Sequence, residues 1–216
     1  MTTSAERAYA QIKAMILSGQ KKGGSRLPED TLASEIGISR TPVRDALRRL
    51  QSDGLITITP NSGARVASWN RDELGEIAHM RVLLEGYAAE LAARKITPAE
   101  IETLRGYAVE MENALGEDGI VDLDLMSRRN LDFHRGIAQA SRNMRLIASL
   151  EPLWSFSLVI RKFALFSRTR IERSTAHHRE ILEALEAGDA EWAGAIMRTH
   201  IRASRAFDGS LAESPE

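Results

Sequence analysis

From residue 70 onward, apolar residues recur every three or four positions and no segment alternates, a pattern that only packed helices can bury. Asn70 and Glu73 are placed to cap a first helix carrying Leu74, Ile77, Val82, Leu84 and Leu91. Thr97-Pro98-Ala99-Glu100 has the layout of a capping box with proline in the first turn, where its missing N–H costs nothing. Ile101, Leu104, Val109 and Leu115 follow as the inner face. The same spacing predicts helices over roughly 122–140, 143–168 and 171–187. Asp189 then caps a last helix with Trp192, Ile196, Met197 and Ile201 turned inward. Residues 70–216 are expected to form an all-α bundle.

Residues 1–69 are organised differently. Tyr9, Ile12, Ile16 and Leu17 mark a helix that Gly19 stops, and the glycine-rich stretch 19–25 is a loop. Pro28 and Glu29 open a short helix with Leu32, Ala33 and Ile36 inside, and Gly37 ends it at a sharp turn. Ser39 is the N-cap candidate of a third helix, with Pro42 in its first turn and Val43, Ala46, Leu47 and Leu50 inward. Two alternating segments, 55–58 and 64–67, flank the turn Pro60-Asn61-Ser62-Gly63. Helix, helix, tight turn, helix and hairpin is the order of a winged helix-turn-helix. The expected fold is therefore mainly α: a winged helix-turn-helix domain over 1–69, followed by the bundle.

Charge divides along the same line. The net charge of −1 is an average: residues 1–69 carry ten Lys and Arg against six Asp and Glu, or +4, and the remainder carries 19 against 24, or −5. A basic module beside an acidic one points to nucleic acid as the partner of the first. A 43% hydrophobic content excludes wholesale disorder, and the absence of cysteine removes disulfides, thiolate ligands and a cysteine nucleophile. The longest uncharged apolar run, 153–160, falls far short of the roughly 18 residues a membrane span needs. Residues 1–11 lack the basic-then-apolar layout of a signal peptide, so a cytoplasmic chain with no membrane partner is expected.

Arg40, Arg44 and Arg48 share one face of the third helix at i, i+4 and i+8. Arginines so spaced are commonly a solvated face; here they follow a tight turn and precede a hairpin within a basic domain, which favours DNA. The stretch RLPEDTLASEIGISRTPVRDALRRLQSDGLI, followed by PNSGARV, closely resembles the DNA-binding domain of the GntR family of bacterial transcription regulators. The resemblance implies a recognition helix in the major groove and a wing in the adjacent minor groove of a double-stranded operator. Ser39, Arg40, Thr41 and Arg44 would then read or clamp DNA. Arg48, Gly63 and Arg65 complete the expected contact set, Gly63 by letting the wing backbone approach the duplex. Two positions depart from the pattern: the family often has arginine at Asp30 and a basic residue at Ser62. An acid at Asp30 would repel phosphate.

In the bundle, His134, His178 and His200 each fall on an apolar face of a different helix, with Asn130 one turn before His134. One inward histidine is usually a satisfied core residue; three converging ones leave a metal site and a packed core as open alternatives. His79 and His177 have no such support and are read as surface or outlying residues. RVLLEGYAAELAAR, NLDFHRGIAQASRN, HREILEALEAGDAEWA and MRTHI resemble the effector domain of the FCD subfamily. That resemblance implies a homodimer and a divalent metal (Zn, Ni or Mn) on one aspartate and three histidines, with a small carboxylate effector. The histidines match His134, His178 and His200, and Asn130 stands where the aspartate would be. Four neutral ligands would weaken metal binding and draw an anion more strongly. Arg81 matches an arginine found near the effector; alternatively it is an exposed residue paired with Glu85. A ligand-responsive repressor is the expected function. A hydrolase using the three histidines, with Asp132 or Glu180 nearby in sequence, and a metal-free sensor of acyl chains are the alternatives.

Overall fold

The computed structural model describes residues 3–59, 63–68, 71–116 and 120–205, whose contacts divide them into two units, the second beginning at Arg71. Among the described residues, no helix is long and apolar enough to cross a membrane.

In the first unit, α1 (Ser4–Leu17) starts at a complete capping box between Thr3 and Glu6. It buries Tyr9, Ile12 and Ile16 against α3 (Arg40–Ser52), which buries Val43, Ala46, Leu47 and Leu50. Between them lies α2 (Glu29–Ile36), with Leu32 and Ala33 inside and Ile36 only half-buried. Gly37 closes α2 at φ 74, ψ 43, a left-handed conformation that costs glycine nothing, and the chain turns directly into α3. Strands β1 (Ile56–Thr59) and β2 (Gly63–Val66) pair antiparallel, each one residue off the expected bounds. The turn expected at 60–62 lies outside the described residues, as does the Asn70 cap. The free edge of β2 is covered by the preceding loop: Leu27 N–H donates to Ala64 O at 2.9 Å, and Arg26 bridges Arg65.

The second unit has helices and no strand among its described residues: α4 (Arg71–Ala93), α5 (Pro98–Asn113), α6 (Leu123–Ala140), α7 (Met144–Leu150), α8 (Phe156–Leu165), α9 (Arg168–Glu186) and α10 (Ala190–Arg205). The capping box of Thr97 and Glu100 forms, and Asp189 accepts from the Trp192 N–H at 3.0 Å. Helix α4 lies along α10, and α6 packs on α4, α5 and α8. The core gathers Phe133, Met111, Met126, Leu104 and Ile137, all under 2% exposed.

One expected helix is not continuous. The pattern over 143–168 is split into α7, a 3-10 turn at Glu151–Leu153, and α8, and α9 begins at Arg168 rather than 171. Pro152 has no N–H to donate to the next helical hydrogen bond. Trp154 then leaves the helix (φ −93, ψ 105), and its indole is buried. Val109, expected inside, is 47% exposed; Ala108 and Met111 take the inner positions of α5 instead. The contrast is measurable. Phe133→Ala is expected to cost about 3–5 kcal/mol in urea unfolding, whereas Val109→Ala should stay within about 0.5 kcal/mol.

Candidate functional site

The DNA-facing residues follow from how α2 and α3 meet. Ser39 is the N-cap of α3 by backbone geometry (φ −75, ψ 168), but its hydroxyl makes no capping bond and is exposed, contrary to the expected side-chain cap. Thr41 is exposed in the first turn beside it. Arg40, Arg44 and Arg48 line a groove of about 990 Å³ that Gly63 of the wing also borders. Gly63 has φ 78 and is exposed, so the wing begins on a residue with no side chain to hold a partner off.

The arginines do not stand free. Arg44 binds Glu29 through two nitrogens, Nε to Oε1 at 3.0 Å and Nη2 to Oε2 at 2.8 Å. These bonds hold the Glu29 carboxyl below its ordinary range. Arg40 pairs with Asp30 at 3.0 Å and lies 3.5 Å from Glu29. Arg48 is 3.9 Å from Asp45 and mostly exposed. Arg65 is half-buried and donates from Nη1 to the Gly24 carbonyl at 2.7 Å, which braces the wing. Arg49, on the other side of α3, lies over the Tyr9 ring at 4.1 Å.

In the second unit, Asn130 and His134 come from α6, His178 from α9 and His200 from α10; each side chain is at most 2% exposed. Ring centroids lie 4.5 Å (His178 to His200), 5.1 Å (His134 to His200) and 5.7 Å (His134 to His178) apart. Each offers one nitrogen within 4.8 Å of the others, the only such group of three among the described residues. Neither ring nitrogen of the three histidines, and neither amide atom of Asn130, has a hydrogen-bond partner among the described residues. Leaving a polar group buried and unpaired costs about 1–3 kcal/mol, so a cluster of them is expected to have a ligand. Nitrogen and amide-oxygen donors at this spacing fit a divalent cation of the zinc or nickel type. His177 is half-buried, its ring 5.8 Å from that of His200; His79 is exposed.

A carboxylate named from the sequence only in the alternative reading, as the partner of an exposed Arg81, also reaches this centre. Glu85 of α4 is 2% exposed, and its Oε2 lies 2.5 Å from His134 Nδ1, close enough to touch but not aligned as a hydrogen bond. Its Oε1 accepts from Arg81 Nε at 2.5 Å and from Trp154 Nε1 at 3.2 Å. The Arg81–Glu85 pair expected on an exposed face is therefore buried, with the arginine side chain only 13% exposed. Burial pushes the Glu85 carboxyl up; Arg81 first, then His134, outweigh it and hold it well below the ordinary range. Burial also drives His134 down against the pull of Glu85, and Arg81 is the permanent cation beside that carboxylate. His178 and His200 lie well below the ordinary histidine value, chiefly from burial, then from His134 beside His178 and from His178 and His134 beside His200, with the buried Lys162 of α8 adding to it. Of the two acids named for a hydrolase, Asp132 is bound to Arg129 and Glu180 to Trp192.

Comparison with known proteins agrees with both units. Residues 4–66 match the gntR family of bacterial regulatory proteins, and residues 76–203 match the FCD domain. The chain belongs to the gntR family of DNA-binding transcriptional regulators and carries an FCD domain as its second unit. It is 31% identical to an uncharacterized HTH-type transcriptional regulator in an unstable DNA locus of Streptomyces ambofaciens, over 93% of this chain and 83% of that one. It is also 31% identical to a probable D-xylose utilization operon transcriptional repressor of Paenarthrobacter nicotinovorans, over 94% and 87%. Among solved structures it resembles E. coli McbR/YncC, with a TM-score of 0.64 and 25% identity over 97% of this chain and 99% of the other.

Two outcomes follow from these geometries. His178 and His200, held well below their ordinary value of 6.5 in the fold, take up protons below that value only when the chain unfolds, so stability is present above that pH and lost as pH falls toward 5. Urea unfolding of metal-free protein between pH 7.5 and 5 should show this slope, and His178→Gln should reduce it by about one proton. At the DNA face, Asp30→Asn should raise affinity for duplex DNA by up to about fivefold in a low-salt gel shift, the size of an exposed ion pair.

Proposed function

We propose that this regulator is a repressor that binds a palindromic operator as a homodimer and releases or tightens on it when a small carboxylate enters the histidine centre. The observation that carries the reading is the set of buried metal-type donors without partners: Asn130, His134, His178 and His200. Those four residues would hold a divalent ion of the zinc, nickel or manganese type. When bound, the ion supplies a positive charge to which a carboxylate can attach. Arg81 binds Glu85 through Nε only and shows no other partner among the described residues, so its remaining nitrogens can serve an anion. A metal-free acyl-chain site would call for an apolar lining, which histidines, an asparagine and a glutamate do not provide.

The first unit supports the DNA half of the reading with Ser39, Arg40, Thr41, Arg44, Arg48 and Gly63 on or beside one groove, and Arg65 bracing the wing. Operator palindromy requires two copies. Met80, Leu83 and Tyr87 lie on one face of α4 and are 45%, 53% and 48% exposed, an apolar stripe that a second copy would cover. Effector and operator affinities are then linked, each changing the other by the same factor.

A gel shift on the DNA upstream of the protein's own gene tests this. Specific binding should fall by about 100-fold or more in Arg40→Ala/Arg44→Ala, which removes two contacts of about 1–3 kcal/mol each. A panel of small carboxylates, added with and without Zn²⁺, should contain one that shifts the midpoint only when metal is present. Absence of specific binding, or a response unaffected by His178→Ala, would overturn the reading.

A further inference from the structure

The four residues that face the centre are an amide and three imidazoles, none of which is an anion. A carboxylate is nevertheless built against them. Glu85 reaches His134 Nδ1 with Oε2, which has no hydrogen-bond partner among the described residues. Its other oxygen is fixed from two sides, by Arg81 on the same helix and by Trp154 from the break after α7. A carboxylate held this way cannot swing out to solvent.

We propose that Glu85 supplies the anion that position 130 lacks, acting as a positioning residue for a divalent cation. The 2.5 Å approach of Oε2 to His134 Nδ1 favours the tautomer with its proton on Nδ1, which leaves Nε2 as the nitrogen free to take the ion. Carboxylates behind ligating imidazoles orient the ring and raise its basicity, and their loss costs about 10–100-fold in metal affinity. A purely structural Glu85, tying α4 to Trp154, would change stability and leave metal affinity alone. The inference rests on reading the centre as a metal site.

The test uses the full chain and Zn²⁺ with a competing chelator. Glu85→Gln keeps the shape and removes the charge. Because it also leaves Arg81 buried without its counter-ion, Arg81→Gln/Glu85→Gln is measured beside it, with folding followed by circular dichroism. Both should bind Zn²⁺ about 10–100-fold more weakly than the wild type, and adding Asn130→Asp to Glu85→Gln should recover about tenfold. Nitrogen-15 NMR of the metal-free wild type should place the His134 proton on Nδ1, a readout that needs no variant to fold. Zn²⁺ affinity within about threefold of wild type in both variants, or a proton on Nε2, overturns the role of Glu85 while the metal site stands. A wild type that binds no Zn²⁺ overturns the metal reading itself.

Discussion

The buried carboxylate of Glu85 is the constraint around which the second unit is arranged. An ion taken out of water costs several kcal/mol unless it is paired and hydrogen-bonded, so the chain around it must bring partners. Arg81, one turn earlier on α4, brings the opposite charge. Trp154 brings an N–H from a segment that would otherwise continue as helix, and this is why the break after α7 is a fixed feature and not a frayed end. His134 meets the remaining oxygen, so α4, α6 and the 151–155 turn converge on one residue.

The histidines depend on the same environment. Packed with centroids 4.5–5.7 Å apart and cut off from water, three imidazoles cannot be charged together. Each proton added to one raises the cost of protonating the next, and Lys162 adds to that cost. Neutral imidazole is also the form that can donate a lone pair to a cation. Burial thus does two things with one arrangement: it keeps acid-sensitive groups unprotonated near neutral pH, and it keeps them able to ligate.

Much of this was legible in the sequence because it is local. Capping boxes at Thr97 and Glu100, the Gly37 turn and the three-and-four spacing of α3 and α6 depend on residues within one or two turns of each other, and the helices stand where those signals put them. The convergence of His134, His178 and His200 was readable because each sits on the apolar side of its own helix. What failed depended on distant partners. The pattern over 143–168 is helical in period, and only Pro152 hinted at the break that Trp154 completes by reaching Glu85. Arg81 and Glu85 have the spacing of an ordinary surface pair, and nothing within α4 says that α6 and Trp154 will cover it. Val109 has the same cause: an apolar residue at nearly the right angle, left outside because Ala108 and Met111 fill the space against the core.

The acids on α2 change what the basic charge of the first unit can do. A +4 module would ordinarily attract any duplex through phosphate neutralisation, without regard to sequence. Here Arg44 is already held at two nitrogens by Glu29, and Arg40 by Asp30. Moving such an arginine to a phosphate exchanges one anion for another and gains little. A guanine edge differs, since its two acceptors lie in the guanidinium plane and a wrong base does not supply them. Either contact is made only after the carboxylate is given up, so Glu29 and Asp30 reduce the gain from phosphate and base contacts alike, and with it the pull of the basic charge on a duplex.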